Sequence, residues 1–151
     1  MTITFVGHSR ISQSEDLKKT IKATIAKSIA KVKTVTFYLG GYGDFDKICA
    51  STCRELKDER DGLELVYITP YITLSEQEKI KGLIRDGIYD TSLYPPIEDT
   101  PLRFAISKRN EWMVENSDLI IAYVKHTFGG AYASLKAAKR KGKRVINLFN
   151  L

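Results

Sequence analysis

Residues 119–124 of this 151-residue chain, Leu-Ile-Ile-Ala-Tyr-Val, are apolar without a break, and that run constrains the fold more than any other feature. A strand with one wet face alternates apolar and polar side chains. One that does not alternate is covered on both faces, as strands are in a parallel sheet flanked by helices. The rest of the chain supplies the units such a sheet needs. Residues 2–6, Thr-Ile-Thr-Phe-Val, read as a first strand stopped by Gly7, with further strands at 34–39 and 63–68. Between the first two, Ser14 is placed to cap a helix with Glu15 and Asp16 in its first turn and Leu17, Ile21, Ile25, Ile29 and Val32 at helical spacing. Between the second and third, Gly40-Gly41-Tyr42-Gly43 breaks the strand. Asp44 is then placed to cap a helix that turns Phe45, Ile48, Cys49, Thr52 and Leu56 inward.

The stretch 71–100 is the least legible: a short helix at about 75–84, a strand near 87–89 and irregular chain at Pro95-Pro96. Order returns with a helix over about 102–116, the 119–124 strand, a helix carrying Ala131, Leu135 and Ala138 to Gly142, and a last strand at 144–148. The alternation predicts an α/β fold, a three-layer Rossmann-like doubly wound domain spanning 1–151. Its mainly parallel sheet should hold about five strands in the order 3-2-1-4-5.

Composition narrows the function classes. No stretch approaches the roughly 20 apolar residues of a membrane span, and MTITFVGHSR lacks the features of a secretory signal, so a cytoplasmic location is expected. Cys49 and Cys53 share a helix face with apolar neighbours and read as reduced core residues. The net charge of +6 favours anionic partners, but its lysines gather along one helix and near the end of another, where solvated faces account for much of them. No metal or cofactor motif is present.

In an open parallel sheet, ligands bind beyond the carboxyl ends of the strands where the strand order reverses. That point lies between the first strand and 119–124, whose following loops are Gly7-His8-Ser9-Arg10 and Lys125-His126-Thr127-Phe128-Gly129-Gly130. Both histidines fall there, open to a surface role or a ligand role. Two glycines before a helix let bare backbone approach a phosphate under the helix dipole, although such glycines also serve turns that need positive φ. Candidate site residues are therefore Gly7, His8, Ser9, Arg10, His126, Thr127, Gly129 and Gly130. Gly40 and Gly41 lie at the same edge, with Arg109 and Asn110 from the 102–116 helix, Arg109 being able to grip an anion bidentately. Trp112 and Met113 are expected to pack inward. Neither glycine loop has the spacing of a P-loop or a dinucleotide fingerprint.

The segment Arg109-Asn110-Glu111-Trp112-Met113 through Ser117-Asp118-Leu119-Ile120-Ile121-Ala122, then Gly129-Gly130, Gly142-Lys143-Arg144-Val145-Ile146 and the first loop Gly7-His8-Ser9-Arg10, resembles the SLOG superfamily. That group unites DprA proteins, the cytokinin-activating LOG enzymes and small YpsA-like proteins, the last being the nearest in appearance. The resemblance implies a Rossmann-like fold and a nucleotide-type ligand, with Gly129 and Gly130 in the phosphate loop and Arg109 at the LOG active-site arginine. Homodimers are expected by the same analogy. Where LOG enzymes carry a catalytic glutamate, this chain has Ser134, which cannot act as a carboxylate. The leading expectation is thus a nucleotide sensor or carrier. The alternatives are an N-glycosidic hydrolase or deoxyribosyltransferase-like enzyme with a carboxylate relocated to Asp44 or Asp46, and, ranked last, single-stranded nucleic-acid binding.

Overall fold

The computed structural model describes residues 1–12 and 14–150. Ser14 caps α1 (Glu15–Ser28), its hydroxyl accepting from the Leu17 N–H at 3.0 Å. The predicted stripe packs on the sheet, with Ile21, Ile25 and Ile29 fully buried. α2 (Gly43–Glu59) lies on the same face and buries Phe45, Ile48, Thr52, Leu56 and both cysteines, which are free thiols held protonated by burial. Lys18 and Lys22 of α1 pair with Glu55 and Glu59 of α2, so part of the basic excess is spent between helices.

β1 (Thr2–Gly7), β2 (Val35–Leu39), β3 (Leu63–Ile68), β4 (Thr91–Leu93), β5 (Leu119–Tyr123) and β6 (Arg144–Asn147) form one parallel sheet in the order β4-β3-β2-β1-β5-β6. β5 sits beside β1 in full register, from Ile3 opposite Leu119 to Gly7 opposite Tyr123. Leu119, Ile120, Ile121 and Ala122 have no exposed surface, as the unbroken apolar run requires. α4 (Ala105–Glu115) and α5 (Gly129–Arg140) cover the second face, where Val114, Leu135 and Ala138 pack on Val6, Ile120 and Ala122.

The sheet has six strands instead of five, and its order differs from the expected one by the added edge strand. α3 (Leu74–Arg85) forms as predicted, but 87–89 is not a strand. Gly87, at φ +75°, donates to Ile84 O while Ile88 donates to Leu83 O, the paired bonds that close a helix C-terminus. Those residues are consumed by the cap, and the strand starts only at Thr91. The 102–116 helix likewise divides: Leu102–Phe104 is a 3-10 turn after Pro101, and the α-helix begins at Ala105. Met113 is buried as expected, and Trp112 is half-buried, its ring 5.4 Å from that of Tyr38. No helix among the described residues is long and apolar enough to cross a membrane.

Candidate functional site

Three loops meet at the carboxyl edge of β1, β2 and β5, and specific bonds lock them together. The β1 loop is held to the start of α2, where the Asp44 N–H donates to Ser9 O at 2.9 Å and the Asp44 carboxylate accepts from the Ile11 N–H at 3.1 Å. Asp44 is therefore not the cap expected of it. Gly43 packs closely on Ser9, the helix starts two residues earlier with Tyr42 at its cap position, and Asp46, one turn in, accepts from the Tyr42 N–H at 3.2 Å instead. The β1 loop is held to the β5 loop by His8, whose Nε2 accepts from the main-chain N–H of Lys125 at 3.0 Å and of His126 at 3.4 Å. An accepting Nε2 puts the proton of a neutral ring on Nδ1. Burial favours that neutral form, and the nearby His126 and Lys125 add to it, so the His8 pKa lies below its ordinary value.

Between these loops opens a cleft of about 460 Å³. Of the residues expected at a site, Gly7, His8, Ser9, Arg10, Arg109, Asn110, His126, Gly129 and Gly130 line it, as does Ser134. Gly40, Gly41 and Thr127 do not. The space a side chain would take at Gly40 is filled by the Arg109 guanidinium at 3.1 Å, and at Gly41 by the Tyr67 ring at 2.4 Å. Arg109 is 1% exposed; its Nη1 donates to Gly40 O and Ile68 O at 2.8 and 2.7 Å, and its Nε to Asn110 Oδ1 at 2.9 Å. Most of the fork expected to face an anion is thus spent on pinning α4 to the ends of β2 and β3.

The first turn of α5 is different. No side chain caps it, and nothing lies within 4 Å of where a Cβ would stand at Gly129 or Gly130. Gly129 has φ +88°, which by itself accounts for a glycine. Gly130 has no positive φ, so neither backbone conformation nor packing against the chain accounts for it. Arg10 stands exposed at the cleft and forms no ion pair among the described residues.

Among the lining residues that sequence reasoning does not single out as ligand contacts are Asp46 and Phe128. The sequence suggests Asp46 only as a substitute catalytic carboxylate. In the cleft wall, burial raises its pKa to about 6 against the opposing pull of Arg109 and the Tyr42 N–H. The sequence held no signal for this, since the start of α2 at Gly43, which sets Asp46 rather than Asp44 one turn in, depends on the contact with Ser9. Phe128, 70% exposed, lies stacked on His126 with centroids 5.1 Å apart and planes at 21°. A second groove of about 510 Å³ runs between α4 and α5 and shares Ile106, Asn110, Val114, Gly130 and Ser134 with the cleft. It is also lined by Arg103, Arg140, Lys141 and Glu111, Lys141 being paired with Glu115.

No family model and no curated protein matches the chain. Among solved structures, the fold is similar to that of DNA processing protein A from Helicobacter pylori, with a TM-score of 0.61 and 17% identity over 96% of this chain and 63% of that one. It is also similar to DprA from Streptococcus pneumoniae, with a TM-score of 0.63 and 14% identity over 95% of this chain and 48% of that one. The chain therefore spans under two thirds of either neighbour, and what it shares with them is the Rossmann-like fold. The Helicobacter protein is described as having a unique single-stranded DNA binding mode.

Proposed function

We propose that the cleft binds a phosphorylated, nucleotide-type ligand, with a phosphate seated on the N–H groups that open α5. The observation that carries this reading is Gly130: a glycine that neither φ nor packing requires, at an uncapped helix start on the cleft wall. Bare backbone there lets an anion approach the N–H groups and the positive end of the helix dipole. Arg10 adds a cation to the cleft lining, and a volume near 460 Å³ falls within the range of small-ligand sites. With Ser134 in place of a carboxylate, the ligand is held as by a sensor or carrier. A thermal-shift panel of AMP, ADP-ribose, NAD and cyclic ADP-ribose isomers tests this. Ligand at 100 times its Kd should stabilise the fold by about 2.7 kcal/mol, and Gly130→Asp should abolish the gain. No stabilisation by any of the four overturns the reading.

A second reading, single-stranded nucleic-acid binding, is favoured by the α4/α5 groove that shares a wall with the cleft and carries Arg103 and Arg140, and by the DNA-binding neighbour of the same fold. It requires oligonucleotide affinity that falls steeply with salt and weakens in Arg140→Ala. The place of Asp46 in the cleft wall, with its pKa raised by burial, favours a third, hydrolysis of an N-glycosidic bond with Asp46 as the relocated carboxylate. Release of free base from nucleoside monophosphates, abolished in Asp46→Asn, is its requirement. Self-association, implied by the family resemblance, is checked by sedimentation.

A further inference from the structure

Phe128 immediately precedes the glycines of α5, and its ring is the most exposed aromatic surface on the cleft wall. Leaving an aromatic ring in water forgoes the stabilisation that its burial would bring. The ring is also held in place. It stacks on His126 at 5.1 Å, the His126 ring lies 4.8 Å from that of His8, and His8 is bonded through Nε2 to the backbone of Lys125 and His126. His126 and Phe128 thus form a two-ring shelf on the cleft wall, with His8 set against His126 at a 47° tilt and bonded to the backbone below, while Phe128 stays exposed. Consecutive Cα atoms are about 3.8 Å apart, and Phe128, Gly129 and Gly130 line the same cleft, so a group on the Gly129 and Gly130 N–H groups lies within a ligand's length of the ring.

We propose that the His126–Phe128 shelf is a stacking subsite for a nucleobase, so that the ligand carries an unsaturated planar ring as well as its phosphate. This rests on the reading that α5 receives the phosphate and adds what lies beside it. The cleft that the two rings line also carries the polar and charged side chains of Ser9, Arg10 and Asn110, a setting for a small planar group with polar substituents. Stacking on an aromatic face tolerates any of the bases, since each has a π-face.

The test compares AMP, GMP, CMP and UMP with ribose 5-phosphate, which keeps the sugar and phosphate and lacks the base. Wild-type protein should bind at least one nucleotide about tenfold more tightly than ribose 5-phosphate. Phe128→Ala should bring that nucleotide down to the level of ribose 5-phosphate and leave ribose 5-phosphate itself unchanged. Phe128→Trp should keep the affinity and report nucleotide binding by fluorescence quenching, against a background from the native Trp112, which lies against Tyr38. Equal affinity for ribose 5-phosphate and all four nucleotides, or an equal loss of both ligand types in Phe128→Ala, overturns the stacking subsite while the phosphate seat stands. Binding of none of the five probes overturns both.

Discussion

Two glycine pairs stand at the same edge of the sheet, Gly40-Gly41 after β2 and Gly129-Gly130 after β5, and they serve opposite ends. The first pair is closed: the Arg109 guanidinium lies over Gly40 and the Tyr67 ring over Gly41, so the protein's own side chains occupy the room the glycines leave. The second is open, with nothing within 4 Å of either position. A buried guanidinium bonded to main-chain carbonyls works as an internal ligand of the β2 loop, while the β5 loop keeps its room and its helix start free. Glycine pairs before helices signal close approach; what approaches depends on residues far away in sequence, here Arg109 and Tyr67.

The difference can be broken most forcefully at Arg109. Arg109→Met leaves Gly40 O and Ile68 O without this donor, and hydrogen bonds to a charged group contribute roughly 1.5 to 3 kcal/mol each; urea unfolding should show a loss of roughly 3 to 5 kcal/mol. Next comes Asp46→Asn. Its pKa is raised to about 6 in the fold, so the stabilisation that goes with protonation is complete below the unfolded value near 3.9 and lost as pH rises through about 6. At pH 7.5 the variant should exceed wild type by roughly 2 to 3 kcal/mol, with the gap closing toward pH 4. His8 acts in the other direction, destabilising as pH falls below its ordinary value, but it does so in both proteins and cancels in the difference. Gly41→Ala should cost on the order of 2 kcal/mol, through the Tyr67 clash and the positive φ together. Smallest are the open glycines. Gly129→Ala should lose about 1 kcal/mol from its positive φ alone, and Gly130→Ala should stay within about 0.5 kcal/mol of wild type in thermal melts while weakening nucleotide binding.

The layers and the switch point were legible because they depend on periodicity: the β5 run, the α1 stripe and the Ser14 cap each state their environment locally. β4 was misplaced because a short edge strand carries no burial pattern and Gly87 signals a helix stop as readily as a turn. Within the site, position along the sheet edge brought both histidine loops and the Arg109 helix to one cleft. Which groups remain free was not legible, since that is decided by long-range partners. His8 bonds across more than a hundred residues to the Lys125 backbone, and Arg109 reaches the end of β2. Asp44 and Asp46 were indistinguishable as caps until contact with Ser9 fixed the first residue of α2.

Amide NMR during an AMP titration reads both glycine pairs in one spectrum. The account predicts that the Gly129, Gly130 and Ala131 N–H signals move together and saturably while those of Gly40 and Gly41 hold still. Saturable shifts centred on Gly40 and Gly41, or AMP binding that leaves the first turn of α5 unmoved, would contradict it.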